Sequence, residues 1–529
     1  MPRKLTTQQE SVDSAMNDES RLVNSLRNTM FSIIGQGASI LLSFAVRFVF
    51  IRCLQTEYLG LNGLFTSVLS ILSLAELGVG TAIVYSMYKP IAERDEEKIS
   101  ILMRLYSKVY AVIGTVVAVL GVLISPFLGS LIKDMPDLPG LQGIYFIFLF
   151  DTVASYFLGY KRSLITADQR ESVLSVNHLL FMAVKGVAQI ASLLLLKNFH
   201  IYLFIQVACT VGENIRVAFL VNKLYPFLKK HRKAPRLPAE EKKTIVENVK
   251  ALFIYKAATV LLGGIDNLII SSQIGVICVA MYSNYTLVVN SLFNVINMVT
   301  TSITASIGNF VATETKDSQK GLFEKVVFVV FLLFGFAAVC LCALLNPFVE
   351  LYCGKELLLS NNAVVIIVVN FFIVGMMSPI WTFRSTMGLF IYGRWRPVIS
   401  AVLNFVLSML FAQWWGIEGV LIATAVSRIT TNLWFDPYIV YKKGWGKSPK
   451  EYYLLFLKYT LIVVLAAFAV CTLGELLGFS ATVAGFALRL LFVVALSGTL
   501  FLVVVLLDPN KQYFLHAIKA FVRKFKGAR

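Results

Sequence analysis

The chain contains 529 residues, of which 57% are hydrophobic and only 15% are charged. This composition excludes an ordinary soluble enzyme or binding domain and predicts an all-α polytopic membrane protein. The seven cysteines and four histidines are scattered and include no CxxC motif, so we expect neither a metal site nor a bound cofactor. The formal net charge of +18 must then be explained by where the lysines and arginines lie.

Apolar runs bounded by charge, proline or glycine predict about 14 transmembrane helices. The first two form a hairpin of segments longer than 20 residues. At 1.5 Å rise per residue, each can cross a hydrocarbon core of ~30 Å. The predicted spans lie at approximately residues 28–54, 59–88, 105–132, 141–160, 173–196, 200–222, 250–275, 278–311, 323–346, 362–391, 397–415, 417–441, 453–475 and 483–507.

Lysine and arginine are concentrated in alternate connections between these spans. The most basic connection is LKKHRKAPRLPAEEKK, at residues 228–243. By the positive-inside bias, these connections and both termini are predicted to be cytoplasmic, which requires an even number of spans. Topology therefore explains the positive charge, and we expect no nucleic-acid partner.

A weak internal repeat suggests how the spans are grouped. A second hairpin follows the first after about 222 residues and places Asn284 opposite Asn62. We predict two six-helix lobes related by a pseudo-twofold axis along the membrane normal, plus two C-terminal helices. The predicted segments are a polar cytoplasmic tail at 1–27, lobes at 28–222 and 250–442 joined by a basic cytoplasmic linker at 223–249, extra helices 13 and 14 at 443–507, and a basic amphipathic cytoplasmic tail at 508–529.

Charged residues inside the predicted spans are the strongest functional signal. Each costs roughly 2.5–3.5 kcal/mol at a helix centre, so most must face one another or a water-filled cavity. Glu213 and Arg216 are spaced i, i+3 and can pair on one helix face. The full set is Arg47, Glu76, Asp151, Lys185, Glu213, Arg216, Lys256, Asp266, Arg384, Arg428 and Asp436.

Two further features lie in the second half of the chain. Pro379 within the predicted span 362–391 predicts a kink or break close to Arg384. The predicted span 278–311 carries a polar stripe suited either to sugar hydroxyls or to packing between helices. The stripe consists of Asn290, Asn294, Asn297, Thr300, Thr301, Thr304 and Asn309.

The stretches EYLGLNGLF, ILSLAELGVGTAIVYSMYKPIAERDEEK and YSNYTLVVNSL resemble those of bacterial polysaccharide-transport flippases. These belong to the multidrug/oligosaccharidyl-lipid/polysaccharide exporter superfamily. The resemblance runs from about residue 25 to 450 and implies an alternating-access transporter of the bacterial plasma membrane with a cationic cavity between its lobes. The implied cargo is an undecaprenyl-pyrophosphate-linked oligosaccharide, moved from the inner to the outer leaflet for cell-surface polysaccharide biosynthesis. Membrane lipids and polysaccharide assembly enzymes are the other expected partners.

This resemblance and the chemistry of the cargo select the candidate site residues. A pyrophosphate needs arginine or lysine partners in a low-dielectric cavity, and the resemblance favours a cavity-facing basic residue at Arg47. The expected substrate site comprises Arg47, Lys185, Arg216, Arg384, Arg428, Asn62, Asn284, Asn290 and Asn294. Intramembrane carboxylates often relay cations, so H⁺ or Na⁺ coupling is expected at Glu76, Asp151 and Asp266.

The sequence leaves two other functions open. A drug/cation antiporter of the same superfamily would need an acidic cavity in the first lobe, for which Glu76, Asp151 and Glu213 are available. A membrane-embedded polysaccharide polymerase or ligase would need a large outer loop, whereas the outer loops here are about ten residues or fewer. The chain has no P-loop, GxSxG or HExxH signature, so we expect a transporter and not an enzyme.

Overall fold

The computed structural model describes residues 35–76, 79–133, 138, 140–230, 243, 245, 247, 249, 260–261, 263–389, 392–393 and 395–508. These residues are almost entirely helical, and no β-strand occurs among them, which confirms the all-α prediction. The predicted tail at 1–27, nearly all of the tail at 508–529, most of the linker at 223–249 and Lys256 lie outside the described residues.

Helices follow one another through short connections along the described chain. In order, they are α1 (Gly35–Cys53), α2 (Thr56–Leu72), α3 (Val79–Ala92), α4 (Glu96–Ile124), α5 (Leu141–Gly159), α6 (Arg162–Ala167), α7 (Glu171–Leu196), α8 (Phe199–Leu224), α9 (Phe227–Lys230), α10 (Val276–Ser302), α11 (Thr304–Thr313), α12 (Lys316–Cys353), α13 (Asn361–Thr386), α14 (Arg396–Arg428), α15 (Trp434–Ile439), α16 (Lys450–Leu476) and α17 (Val483–Leu507). Residues 263–269 are also helical and lead into a π-helical turn at Ile270–Ile274.

Eleven helical segments in the described part of the chain are long and apolar enough to cross a membrane. This confirms a multi-pass membrane protein, whereas the count of 14 remains a prediction. One reason for the lower number is that the segment Arg396–Trp445 is counted once. Another is that the predicted seventh span, 250–275, is only partly described.

The chain divides into two compact units. The N-terminal unit comprises Met1–Tyr58, Val68–Leu128 and Pro136–Ala257. The C-terminal unit comprises Leu59–Ser67, Gly129–Met135 and Ala258–Arg529. The predicted lobe boundaries and the twofold relation between the lobes remain predictions.

Helix α8 is the centre of the N-terminal unit, because α5 and α7 both pack against it. Helix α1 joins this group through Phe50, whose ring centroid lies 5.2 Å from that of Tyr202 on α8. Helix α1 also approaches α7 closely at Gly186, where an added Cβ would lie 2.5 Å from a methyl carbon of Leu42. The absence of a side chain at this position is what allows α1 and α7 to touch.

The second predicted span, 59–88, is not one continuous helix, so that prediction is wrong. Helix α2 ends at Leu72, a 3₁₀ turn occupies Ser73–Glu76, and helix α3 begins at Val79. The hydroxyl of Ser73 donates to the carbonyl of Leu69 at 2.7 Å, and the hydroxyl of Tyr106 donates to the carbonyl of Gly80 at 2.9 Å. Side chains thus satisfy backbone groups around the interruption, which leaves Glu76 at the end of a turn.

Helix α12 forms the core of the C-terminal unit and packs against α13, α16 and α17. Much of this core is aromatic. The ring of Tyr459 on α16 stacks on Phe331 of α12 with centroids 4.0 Å apart and planes 9° apart. The two extra C-terminal helices therefore contribute directly to the packed core of their unit.

The segment Arg396–Trp445 is a helical hairpin that turns at Gly416. This glycine has φ 57° and ψ −134°, which is outside the helical region. In a straight helix, residues 404 and 424 would be about 30 Å apart, yet the Asn404 amide donates to the Thr424 hydroxyl at 2.9 Å. The chain therefore reverses between the arms, at the position where the predicted spans 397–415 and 417–441 meet.

Helix α13 continues through Pro379 to Thr386, so the predicted break at this proline is absent. Proline removes one backbone donor and disturbs the preceding turn. The hydroxyl of Tyr452 donates to the carbonyl of Met376 in that turn at 3.3 Å. A neighbouring helix thereby supplies a hydrogen bond next to the proline, which helps α13 to remain helical.

We predict that Gly375→Ala lowers the thermal stability of the protein. An added Cβ would lie 2.2 Å from a ring carbon of Phe334, which is fully buried on α12. Overpacking of this kind typically costs about 1–3 kcal/mol. Thermal unfolding in detergent should show a lower midpoint for this variant than for the parent.

The matched control for this prediction is Gly474→Ala on α16, since no atom lies within 4 Å of a Cβ added there. Its midpoint should equal or slightly exceed that of the parent, because alanine favours helix over glycine. Equal midpoints for the two variants would contradict the close packing of α12 on α13.

Candidate functional site: a polar cavity in the N-terminal unit

A polar cavity of about 900 Å³ lies within the N-terminal unit. Most of its lining comes from helices α3 to α8, which are otherwise rich in apolar residues. The lining residues are Glu76, Gly80, Thr81, Val84, Tyr110, Asp151, Thr152, Ser155, Tyr156, Gly159, Arg162, Ser163, Thr166, His178, Thr210, Glu213 and Asn214. Three carboxylates therefore line one cavity.

Two of these carboxylates, Glu76 and Asp151, are held by neutral donors. The Tyr110 hydroxyl donates to Glu76 Oε1 at 2.9 Å, and the Gln206 amide donates to Asp151 Oδ2 at 2.9 Å. The other oxygen of Asp151 is buried and has no hydrogen-bond partner among the described residues. Because no arginine or lysine forms an ion pair with Glu76 or Asp151 in the described part of the chain, both can attract a cation into the cavity.

The third carboxylate, Glu213, has a basic partner. The guanidinium of Arg162 donates to Glu213 Oε1 at 2.5 Å, and His178 Nδ1 lies 3.3 Å from the same oxygen. Arg216, which was expected to pair with Glu213, is instead exposed, so the predicted i, i+3 pair is wrong. The loop and helix that follow α5 bring Arg162 to Glu213 from 51 residues away, and this contact replaces the local one.

Asn214 also faces the cavity and is only 7% exposed. Its side chain makes no hydrogen bond to any described residue, although its oxygen lies 3.9 Å from the position of a Cβ added at Gly159. A buried amide without a partner is costly. Asn214 is therefore available to bind a polar ligand.

The predicted basic residues of this unit lie near the cavity helices but do not line the cavity. Arg47 on α1 is half-buried and interacts electrostatically with Tyr202 on α8. Lys185 on α7 is half-buried and interacts electrostatically with Cys209 on α8. The described structure thus places both cations on helices that pack together, and their role in binding pyrophosphate remains a prediction.

Asp266 and Arg428 form a separate buried cluster in the C-terminal unit. Asp266 is 7% exposed and accepts a hydrogen bond from the Thr424 hydroxyl at 3.1 Å. Arg428 attracts Asp266 electrostatically and donates to Asn370 at 2.9 Å. Asp266 therefore has a cation of the protein nearby.

Arg384 belongs to a second buried ion cluster of the C-terminal unit. It hydrogen-bonds Asp436 and the carbonyl of Tyr392. Asp436 has no exposed surface, and its other oxygen lies 3.0 Å from both Arg396 Nη1 and Trp381 Nε1. A carboxylate shared by two guanidinium groups is a closed arrangement, which favours a structural role for Arg384 over the predicted contact with substrate.

The predicted asparagines differ in exposure, and their role in binding substrate remains a prediction. Asn284 is buried, Asn62 is half-buried, and Asn290 and Asn294 are exposed on α10. Further along the same stripe, Thr300 and Thr301 both donate to the carbonyl of Asn297, at 3.0 and 2.8 Å. These hydroxyls donate to the backbone of their own helix. This favours a role of the polar stripe in helix packing over a role in binding sugar hydroxyls.

Sequence reasoning missed several residues of the cavity. The sequence alone indicates no site role for Arg162, Tyr110, Tyr156 or His178. The rings of Tyr110 and Tyr156 lie 6.3 Å apart on helices α4 and α5. A signal was present in Tyr106 and Tyr110, which are spaced one helical turn apart on α4.

The fold is similar to the folds of solved membrane transporters. It is similar to the solved structure of lipid II flippase MurJ in an inward closed conformation, with a TM-score of 0.60, 12% identity, and coverage of 89% of this chain and 97% of the other. It is also similar to an inward-facing multidrug resistance MATE family transporter of the MOP superfamily, with a TM-score of 0.54, 15% identity, and coverage of 75% and 93%. At these identities the likeness shows the fold alone.

The family is shown by the sequence itself. Residues 25–305, just over half of the chain, match the polysaccharide biosynthesis protein family, and the chain belongs to this family. No curated protein sequence matches the chain. The family match and the shared fold confirm the resemblance to polysaccharide-transport flippases of the superfamily.

We predict that Asp436→Asn strongly destabilises the protein. The change leaves Arg384 and Arg396 buried without their counter-charge, and removing one partner of a buried ion pair typically costs about 3–5 kcal/mol. Thermal unfolding of the purified protein should show a clear fall in midpoint.

The control is Glu451→Gln, which breaks the exposed ion pair between Glu451 and Lys320. Exposed pairs contribute about 0–1 kcal/mol, so this variant should unfold close to the parent. An Asp436→Asn protein as stable as the control would show that the cluster is not structural.

Proposed function

We propose that the protein is a flippase that moves undecaprenyl-pyrophosphate-linked oligosaccharide from the inner to the outer leaflet of the bacterial plasma membrane by alternating access. This activity would serve cell-surface polysaccharide biosynthesis, with both termini in the cytoplasm and polysaccharide assembly enzymes as partners. The observation that carries the proposal is the polar, charged cavity of about 900 Å³ within apolar helices of a polysaccharide biosynthesis protein. A charged lining in such helices is costly unless a polar cargo or ion uses it.

Arg47 and Lys185 are the best candidates to bind the pyrophosphate. They lie on α1 and α7, which touch where Gly186 meets Leu42, directly beside Lys185 in sequence. Arg47 is five residues beyond Leu42, or about 7.5 Å along the axis of α1. Arginine and lysine are the side chains suited to bind a pyrophosphate. Arg384 and Arg428 already have partners within the protein, which makes them weaker candidates.

Glu76 and Asp151 are the proposed coupling residues for H⁺ or Na⁺. Both line the cavity, and both are held by neutral side chains. Asp266 is a weaker candidate, because Arg428 already balances its charge. An ion that enters the N-terminal unit would therefore find two carboxylates available.

A drug/cation antiporter is the second candidate function, and the acidic balance of the same cavity favours it. Glu213 is paired with Arg162, while Glu76 and Asp151 have no such partner in the described chain. The negative electrostatic potential of these carboxylates would attract an organic cation. Export of ethidium without movement of lipid-linked oligosaccharide would select this function over the flippase.

The test of the flippase is movement of a fluorescent undecaprenyl-pyrophosphate oligosaccharide between leaflets of proteoliposomes. We expect Arg47→Ala and Lys185→Ala each to slow transport by about tenfold or more, since a hydrogen bond to a charged group contributes about 1.5–3 kcal/mol. The matched control is Arg52→Ala on α1, because Arg52 is exposed and its guanidinium lies over the ring of Phe48. Equal transport rates in all three variants would contradict the proposal that Arg47 and Lys185 bind the pyrophosphate.

Coupling is tested by comparing initial transport rates with and without a proton or Na⁺ gradient. Glu76→Gln and Asp151→Asn should each abolish the stimulation by the gradient, because neither amide can bind a cation as a carboxylate does. Asp266→Asn should keep the stimulation while lowering thermal stability, since it leaves Arg428 without a counter-charge. If only Asp266→Asn loses the stimulation by the gradient, the coupling residue is Asp266 of the C-terminal unit and not Glu76 or Asp151.

A further inference from the structure

The cavity of the N-terminal unit is larger than ion coupling requires. Its volume of about 900 Å³ lies within the range of about 300–1,000 Å³ that is typical of small-molecule sites. A water molecule takes about 30 Å³ in the liquid. One ion with a few waters would therefore leave most of the space for a larger polar ligand.

Several hydroxyls of the lining donate hydrogen bonds within the protein and face the cavity as acceptors. The hydroxyls of Thr152 and Ser155 donate hydrogen bonds to the carbonyls of Phe148 and Asp151, at 3.1 and 2.9 Å. The hydroxyl proton of Tyr110 is likewise used, by Glu76. These oxygens can still accept hydrogen bonds, so the cavity suits a ligand with many O–H or N–H groups.

The charge of the lining also favours a ligand that is neutral or positively charged. Its ionisable members are Glu76, Tyr110, Asp151, Tyr156, Arg162, His178 and Glu213. The one arginine pairs with Glu213 at 2.5 Å, which leaves Glu76 and Asp151 as an excess of negative charge. A ligand carboxylate here would meet like charge at Glu76 and Asp151.

The buried amide of Asn214 supplies an independent indication of a ligand. It is 7% exposed, lines the cavity and has no hydrogen-bond partner among the described residues. The rings of Tyr110 and Tyr156, 6.3 Å apart, add apolar surface beside polar groups. A pyranose ring, with apolar faces and a rim of hydroxyls, matches this combination.

We propose that this cavity is the subsite for the sugar headgroup of the cargo, and that it selects neutral and amino sugars over acidic sugars. The inference rests on the proposed flippase function and specifies its substrate class. Hydroxyl and ammonium groups of the sugar donate to Glu76 and Asp151, and Asn214 bonds a hydroxyl or acetamido group. Uronic acids are excluded because their carboxylate is repelled.

The test uses three synthetic lipids that share an undecaprenyl-pyrophosphate anchor and differ in a single sugar: glucosamine, N-acetylglucosamine or glucuronic acid. Binding to the full-length protein in nanodiscs is measured first. The glucosamine and N-acetylglucosamine lipids should bind about tenfold or more tightly than the glucuronic acid lipid, since juxtaposed like charges are strongly unfavourable. Equal or tighter binding of the glucuronic acid lipid would overturn the proposal, as would failure of all three to bind.

Variants then assign the selectivity to the cavity. The double variant Glu76→Gln/Asp151→Asn should reduce the difference between glucosamine and glucuronic acid lipids to about threefold or less, because it removes the negative charge. Asn214→Ala should weaken binding of the glucosamine and N-acetylglucosamine lipids alike. Glu356→Gln, an exposed carboxylate change in the C-terminal unit, is the control and should preserve the full difference. An unchanged difference in the double variant would contradict the proposal.

Transport of the same three lipids in proteoliposomes separates this inference from the function on which it rests. Selective binding without movement of any lipid would overturn the flippase and leave the sugar subsite in place. Equal binding and equal movement of all three would overturn the subsite and leave the flippase in place.

Discussion

The cost of placing a charge within apolar helices governs the structure of this protein. Each unpartnered charge at the centre of a membrane-spanning helix costs several kcal/mol, so each must be paired inside the protein or must face a polar space. The chain uses both solutions. Charges that are paired inside the protein stabilise the fold, whereas charges that face a polar space are available to bind a ligand.

The C-terminal unit uses internal pairing. Asp436 is shared by Arg384 and Arg396, and Asp266 lies beside Arg428 and accepts from Thr424. These clusters tie helices together over long sequence distances. A group that already has its partners inside the protein has little capacity left for cargo, so the high density of charge here is mainly a property of the fold.

The N-terminal unit uses a polar space instead. Of its three cavity carboxylates, only Glu213 has a basic partner among the described residues. Glu76 is placed there by the interruption between α2 and α3, and that interruption is stabilised by side-chain hydrogen bonds to the backbone from Ser73 and Tyr106. A continuous helix would have placed a different set of side chains toward α4. The irregular backbone and the position of Glu76 in the cavity are therefore one feature, as is common where backbone irregularity lines a cavity within membrane helices.

The sequence allowed the membrane class, most spans and even the turn at Gly416 to be predicted, because these depend on local apolar runs and on single glycines. It also identified Glu76, Asp151 and Asp266 as residues that need an explanation. It could not supply partners that are distant in the chain, such as Thr424 for Asp266, 158 residues away, or Arg162 for Glu213, 51 residues away. The i, i+3 rule chose Arg216 for Glu213 because local spacing was the only guide available. Pro379 shows the same limit, since the hydroxyl that supports its helix comes from Tyr452, 73 positions further along the chain.

Fold similarity alone leaves the cargo undetermined. The same architecture accommodates a lipid II flippase and a multidrug transporter, at 12% and 15% identity to this chain. Selection among such cargoes must therefore come from side chains that line a cavity and not from the arrangement of helices. In this chain the cavity offers acceptors, two carboxylates without a basic partner in the described chain, and one buried amide. A sugar with many hydroxyl groups can hydrogen-bond to all of these groups. A simple hydrophobic cation would neutralise the two carboxylates but would leave the amide of Asn214 and most hydroxyl oxygens without hydrogen-bond partners.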